Sequence, residues 1–266
     1  MIGTRRAPAG VLVVAAAVIA AGAACGSAPP TSEASAASRP PTSGSSPPTT
    51  RPPAPTSPPP PAAPSTTSTT STSSPSPPPF AASVRAVTAS ELPYTWRPGC
   101  PVSPAQLRML SLSFWGFDGR PHTGTMVVNA SVVPAAEAVF RTLYDERFPI
   151  REMVPEDAYR GDDNAAAAAD DTSGFNCRYA VAPGPPHWSV HAYGEAIDVN
   201  DVQNPYVDGT TVIPPAGSAY LDRADYRPGM AVPGGQLVDA FAAVGWYWGG
   251  RWTATPDYQH FSATGG

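Results

Sequence analysis

The sequence predicts one folded domain of mixed strands and helices over residues 81–266. "LSLSFWGFDG", residues 110–119, and "GTMVVNASVV", residues 124–133, alternate apolar and polar residues and predict two adjacent strands. "PAAEAVFRTLYDERF" starts at Pro134, with Ala138, Leu143 and Tyr144 near helical spacing, and predicts a helix. "GGQLVDAFAAVGWYWGG" predicts a second helix, which ends at Gly245 and leads into an aromatic strand.

The first 25 residues have the layout of an export signal. Two arginines precede an apolar run that is too short to span a bilayer comfortably, and small residues then lead to Cys25. Residues 22–25, "GAAC", resemble a bacterial lipobox, in which the cysteine becomes the lipidated first residue. Lipidation of Cys25, ordinary secretion and an uncleaved anchor remain alternatives. We expect an extracytoplasmic protein, secreted or lipid-anchored to the outer face of the bacterial cell membrane.

Residues 26–80 consist mainly of Pro, Ser, Thr and Ala, as in "SSPPTTRPPAPTSPPPP". Such a segment cannot bury enough apolar surface to offset the entropy of ordering it. It is predicted to be a disordered, extended linker between the signal segment and the folded domain.

The cysteines predict a disulfide, and the charges argue against one class of partner. If Cys25 carries lipid, Cys100 and Cys177 remain in an oxidising compartment, and a disulfide between them is expected. The alternative of a thiolate metal site would require a CxxC pair, which the sequence lacks. A formal net charge of −5 without a basic cluster argues against a nucleic-acid partner. We expect a monomer.

The segment "REMVPEDAYRGDDNAAAAADDTSGFNCR" is acidic and rich in alanine. Asp162, Asp163, Asp170 and Asp171 offer oxygen ligands for calcium, but their spacing does not match an EF-hand loop. We therefore interpret residues 157–171 as a solvated loop with a short helical turn.

"WSVHAYGEAIDVN", residues 188–200, contains the first candidate ligands. A strand through "AIDVN" turns Ile197 and Val199 to one face and Asp198 to the other. Gly194 permits a tight turn that could bring His191 to the same side as Asp198. An imidazole and a carboxylate suit a borderline cation such as zinc, although two ligands are too few.

The third candidate ligand lies in "TPDYQHFS", near the C-terminus. Thr255 and Pro256 are typical of the start of a helical turn, which would present Asp257 and His260 on one side. His191, Asp198 and His260 would then bind a zinc ion and leave a fourth position for water. Asp257 would be the base beside that water.

These two motifs also resemble the signatures of a known family. "SVHAYGEAID", residues 189–198, fits the SxHxxGxAxD signature of the zinc D-alanyl-D-alanine carboxypeptidases and their L-alanyl-D-glutamate endopeptidase relatives, the M15 or VanY-like peptidases. "DYQH" is similar to their second signature, and "FNCR", "VQNPYV" and "GWYWGGRW" resemble the secreted bacterial branch of the family. The resemblance covers most of residues 130–262.

The resemblance implies His191, Asp198 and His260 as zinc ligands and Asp257 as the general acid and base. It further implies that Arg178 steadies a substrate oxygen or carboxylate, and that Ser189 contacts the substrate or supports a ligand. The implied fold is a small α+β domain of the hedgehog/DD-peptidase-like kind, an antiparallel sheet with helices packed on one side. The implied reaction is hydrolysis of amide bonds in peptidoglycan stem peptides.

Other histidine, acidic and aromatic residues have alternative interpretations. His187 lies four residues before His191, but Trp188 follows it where an HExxH motif requires glutamate, so His187 is at most a rim residue. Glu195 is a second candidate base of undetermined orientation, and His122 is expected in a loop. Three tryptophans are interpreted as core packing rather than glycan stacking: Trp246, Trp248 and Trp252. A non-catalytic, zinc-containing cell-wall-binding module on the same fold is the alternative function.

Overall fold

The structure, a computed structural model, describes residues 76–181 and 185–265. The predicted signal segment with Cys25, and residues 26–75 of the predicted linker, lie outside the described residues. Within the described ranges, no helix is both long enough and apolar enough to cross a membrane.

The regular elements follow the mixed pattern that the sequence predicts. The helices are α1 Val133–Asp145, α2 Asp163–Ala168 and α3 Gln236–Ala243. The strands are β1 Ala82–Ala86, β2 Leu107–Gly116, β3 Pro121–Asn129, β4 Pro149–Ile150, β5 Ala196–Asp198, β6 Tyr206–Asp208, β7 Thr211–Ile213, β8 Tyr247–Trp248 and β9 His260–Ser262. Short 3₁₀ helices connect several of them, including Glu156–Tyr159 and Val190–Tyr193.

The largest sheet is built around β2. This strand pairs antiparallel with β1 and with β3, which confirms the two adjacent strands expected from the alternating pattern. Strand β4 pairs parallel with β2, because the chain returns through α1 before it rejoins the sheet. The expectation of one antiparallel sheet is therefore incomplete, since a two-residue strand is too short to show a periodic pattern in the sequence.

Helix α1 packs against one face of this sheet and α3 packs against α1, and together they form the main core. Because side chains alternate across a strand, Leu110 and Leu112 of β2 and Met126 of β3 face the same side, where they join Phe140 and Phe241 of the helices. Both predicted helices are thus confirmed.

One detail of the helix prediction is wrong. Ala138 lies on the exposed side of α1, and the helix instead buries Ala136, Val139, Phe140, Leu143 and Tyr144.

A second sheet, in the order β5-β9-β8, lies beside the first and carries the candidate ligands. Residues 173–175 connect the two sheets, since the Phe175 amide donates to the Val127 carbonyl of β3 at 2.7 Å. In addition, Ser173 and Asp198 of β5 exchange two backbone hydrogen bonds. Phe261 of β9 stacks on Phe241 of α3, which fixes β9 to the core. A separate hairpin of β6 and β7 completes the described sheets.

Candidate metal centre and active site

His191 lies in a 3₁₀ turn, Val190–Tyr193, whose two ends hold it in place. At the start, the Ser189 hydroxyl accepts a hydrogen bond from the His191 amide at 3.3 Å. At the end, Gly194 has a φ of 70°, the left-handed conformation that glycine adopts most easily. A Cβ at Gly194 would lie 2.7 Å from the backbone nitrogen of Asn129. The turn expected at Gly194 is thus present, and β3 packs closely against it.

The tautomer of His191 follows from its neighbours. Its Nδ1 lies 2.6 Å from the carbonyl oxygen of Gly174, which can only accept a hydrogen bond. Nδ1 therefore carries the proton, and Nε2 presents its lone pair towards Asp198, 3.2 Å away. A backbone carbonyl orienting a histidine in this way is common at metal centres.

Strand pairing brings Asp198 and His260 together. They are directly opposite one another in the antiparallel pair β5–β9, so their side chains share one face. Oδ1 of Asp198 lies 3.1 Å from Nδ1 of His260, and that same nitrogen lies 3.1 Å from Nε2 of His191. All three residues are buried.

The helical turn expected at Thr255, Pro256 and His260 is wrong. His260 begins β9 and the residues before it are irregular. Thr255 and Pro256 favour a helical turn locally. The pairing of His260 with Asp198 and the burial of Phe261 outweigh this preference. Asp257 nevertheless lies close to His260, whose amide donates to the Asp257 carbonyl at 3.4 Å.

The three ligand atoms have the spacing that a metal ion requires. They lie within 4.8 Å of one another, and His191, Asp198 and His260 are the one group of three or more His, Cys, Asp or Glu residues this close in the described part of the chain. A tetrahedral ion with bonds of about 2.0–2.1 Å separates its ligands by about 3.3–3.4 Å. The two histidine nitrogens lie 3.1 Å apart, and each lies 3.1–3.2 Å from a different oxygen of Asp198, which is close to that separation.

The charge state of Asp198 also suits a cation. Burial alone would raise the pKa of Asp198, but His191 and His260 hold that pKa well below its ordinary value. The side chain is therefore a carboxylate, and its two oxygens face one histidine nitrogen each.

Asp257 is the candidate acid and base. Its Oδ1 is buried and has no hydrogen-bond partner among the described residues. Burial raises the pKa of Asp257 to about 7, and the charge of Asp198 adds to this effect, whereas His260 and Arg178 oppose it. A carboxyl group with a pKa near neutrality can both take up and release a proton at working pH.

Backbone contacts fix the position of Asp257. Its amide donates to the Gly249 carbonyl at 3.2 Å, and it forms an antiparallel bridge with Tyr206 of β6.

Arg178 is joined to the metal-binding turn through the backbone. The Ser189 amide donates to the Arg178 carbonyl at 3.1 Å, so the backbone of Arg178 is hydrogen-bonded to the residue that begins the His191 turn. Its Nε donates to Oδ1 of Asp163 at 2.6 Å. Its positive charge opposes the rise in the pKa of Asp257, and the charge of Asp198 in turn raises the pKa of Arg178.

Ser189 is buried and its hydroxyl is occupied in the turn, where it supports His191. Contact of Ser189 with a substrate stays a prediction.

The acidic segment is not the solvated loop that we expected. Glu156, Asp170 and Asp171 are all buried, while α2 supplies the short helical turn. Distant donors make this burial possible: the Val202 amide donates to Asp170 and the Val154 amide donates to Asp171. A sequence shows the acids but not the donors that the fold brings to them.

The remaining candidates play other parts. His187 is exposed, His122 lies in β3 rather than a loop and pairs with Asp118 at 3.0 Å, and Glu195 is half-buried. Trp246 and Trp248 are buried in the core, which confirms packing for these two. Trp252 lies with its ring centre 5.4 Å from that of His260.

The expected disulfide joins Cys100 and Cys177. It ties the loop before β2 to the residue that precedes Arg178. The sequence does not identify Gly174, Asp163 or Glu156 as partners of the site, because no local signal marks a backbone carbonyl or a distant carboxylate in that role.

Residues 183–263 match a family model described as D-alanyl-D-alanine carboxypeptidase. The matched segment contains all three candidate ligands and Asp257 but not Arg178, and it spans less than half of the chain. A search of curated proteins found no match, and a search of solved structures found none either. The buried His–Asp–His group is a site that could hold a metal ion, with an acid close by. The family match supports a peptidase of the M15 carboxypeptidase type, the family that the two motifs resemble.

Proposed function

We propose that the protein is a zinc-dependent peptidase that hydrolyses amide bonds in peptidoglycan stem peptides, as a D-alanyl-D-alanine carboxypeptidase or a related endopeptidase. The observation that carries the proposal is the convergence of His191, Asp198 and His260, with Asp257 beside them, inside the segment that matches the carboxypeptidase family. A binding module would have no need of an acid whose pKa lies near 7 at this position.

His191 Nε2, His260 Nδ1 and an oxygen of Asp198 would hold the zinc ion. When bound, zinc would supply a water of lowered pKa and polarise the scissile carbonyl. Asp257 would accept the proton of the attacking water and return it to the departing amine. Arg178 would donate hydrogen bonds to the oxygen on which negative charge develops. No covalent bond to the protein is required.

The location proposed for this activity is outside the cytoplasm, with the protein secreted or held by lipid at Cys25. The sequence of residues 1–25 supports this location, and the disulfide between Cys100 and Cys177 is consistent with an oxidising compartment. The linker over residues 26–80 would then let the peptidase domain reach stem peptides at a distance from the membrane.

Digestion of purified peptidoglycan with the zinc-loaded protein, followed by mass spectrometry of the products, tests the proposal. Loss of a terminal alanine would identify a carboxypeptidase, and cleavage within the stem an endopeptidase. Muropeptides that bind without being cleaved would instead support the non-catalytic module. Cleavage of casein but not of muropeptides would show a protease for protein substrates.

A further inference from the structure

Asp163 contacts the arginine that the proposed function places at the reacting carbonyl. The hydrogen bond from Arg178 Nε to Asp163 Oδ1 is 2.6 Å long and joins two opposite charges. The two side chains are 23% and 35% exposed, so water screens the pair only in part. Charge-assisted bonds of this length are stronger than neutral ones and orient the planar guanidinium.

The contact leaves the outer edge of the guanidinium available. Among the described residues, neither terminal nitrogen of Arg178 has a hydrogen-bond partner, and neither is a buried polar atom. Within the described part of the chain, both nitrogens are therefore free to donate to a substrate oxygen. Asp163 occupies Nε alone.

Helix α2 gives Asp163 a fixed position. Asp163 is the first residue of the helix, and the preceding Asp162 caps it by accepting hydrogen bonds from the amides of Asn164 and Ala165. Ala166 and Ala167 are buried and anchor the helix to the domain. The alanine-rich segment thus serves to hold a carboxylate at the site.

Glu156, the other acid near Arg178, is engaged elsewhere. It is buried, and its oxygens accept hydrogen bonds from Ser173 and Asn176. It makes no hydrogen bond to Arg178. Asp163 is consequently the direct partner of the arginine within the described residues.

We propose that Asp163 is a positioning residue for the reaction, which holds Arg178 by Nε so that both terminal nitrogens face the substrate oxygen. This inference rests on the proposed function. Asp163 makes no hydrogen bond to the candidate ligands, and its hydrogen-bond partner at the site is Arg178.

The test compares Asp163→Asn with Asp162→Asn in the zinc-loaded full-length protein. Both changes remove one negative charge at neighbouring positions, but asparagine still caps a helix, and Asp162 does not contact Arg178. We expect Asp163→Asn to lower kcat on muropeptides by about 10- to 100-fold with little change in KM. The reason is that the contact between Arg178 and the substrate oxygen strengthens as negative charge develops on that oxygen. Asp163→Glu should restore part of the loss.

A double-mutant comparison separates this role from a structural one. In an Arg178→Ala background, Asp163→Asn should cause no further loss of kcat, because the residue through which it acts is gone. The same factor of loss in both backgrounds would overturn the proposal, and so would equal activity of Asp163→Asn and Asp162→Asn.

Nitrogen-15 NMR of the Arg178 Nε–H group measures the contact without any reaction. Its signal should change in Asp163→Asn and persist in Asp162→Asn, and a signal unaffected by either change would overturn the proposal. Failure of the proposed function would look different: the wild type would leave muropeptides intact while this signal still depended on Asp163. That result would also reject the catalytic role of the contact.

Discussion

The two histidines of the candidate metal centre present different nitrogens to it. His191 uses Nδ1 to bind the Gly174 carbonyl and presents Nε2, whereas His260 presents Nδ1 to Asp198 and buries an Nε2 that has no partner among the described residues. The sequence identifies both residues through their motifs. The sequence cannot specify which imidazole nitrogen faces the centre, because that depends on groups from other elements, such as the Gly174 carbonyl.

Asp171 is a second residue whose surroundings shift its titration. It is fully buried, its Oδ1 accepts from the Val154 amide, and its Oδ2 has no partner in the described part of the chain. Burial raises the pKa of Asp171 from 3.8 to about 7, and the charges of Glu152 and Asp170 add to this, while the hydrogen bonds oppose it. The folded protein therefore binds a proton here that the unfolded chain has already released above pH 4.

We expect this proton to make stability fall as the pH rises from about 4 to 7, since the folded state binds more protons than the unfolded state in that window. Asp171→Asn keeps an acceptor for the Val154 amide and removes the titration. Its Tm should exceed that of the wild type above pH 7 by several degrees, and the difference should vanish near pH 4. A Tm difference that does not vary with pH would contradict the assignment.

At the scale of elements, strand pairing determines the secondary structure of segments whose local sequence pattern is misleading. Long periodic segments such as α1 and β2 could be predicted, because their patterns span several turns or residues. The residues before His260 could not, since Thr255 and Pro256 suggest a helical turn while β9 pairs with β5. The convergence of His191, Asp198 and His260 was still predicted, because these residues were identified by their motifs rather than by the element that carries them.

The turn that holds His191 depends on Gly194. A pair of substitutions separates the effect of its backbone conformation from the effect of its contact with β3. Gly194 and Gly245 both have positive φ, of 70° and 80°, but a Cβ at Gly245 would meet nothing within 4 Å. Gly245→Ala should cost about 1–2 kcal/mol for the backbone conformation alone. Gly194→Ala should cost about 1–3 kcal/mol more, because the new Cβ would clash with β3.

Urea unfolding of the metal-free variants measures these free energies, and zinc titration measures the effect on the centre. We expect Gly194→Ala to weaken zinc affinity, since the His191 turn must shift, and Gly245→Ala to leave it unchanged. Equal losses of stability and of affinity in the two variants would show that contact with β3 does not define the turn.

At the scale of the whole molecule, the site is assembled from distant parts of the chain on a shared framework. His191 and Asp198 flank Gly194, His260 and Asp257 follow some sixty residues later, and Arg178 precedes them all. Residues 173–175 join the two sheets, and the disulfide fixes Cys177 next to Arg178. Motif spacing and cysteine number predicted the ligand triad and the disulfide. The contacts of Asp163 with Arg178 and of Gly174 with His191 could not be predicted, because they depend on long-range packing.

The central claim is that the triad holds zinc while Asp257 transfers the proton, and Asp257→Asn tests it most directly. Zinc content and muropeptide hydrolysis are measured together for the full-length wild type, for Asp257→Asn, and for Asp208→Asn, an exposed acid on the hairpin strand that bridges to Asp257. We expect Asp257→Asn to retain about one zinc per chain and to lose at least about 100-fold in kcat, with Asp208→Asn unchanged. Hydrolysis by Asp257→Asn at the wild-type rate, or by wild type stripped of metal, would contradict the account.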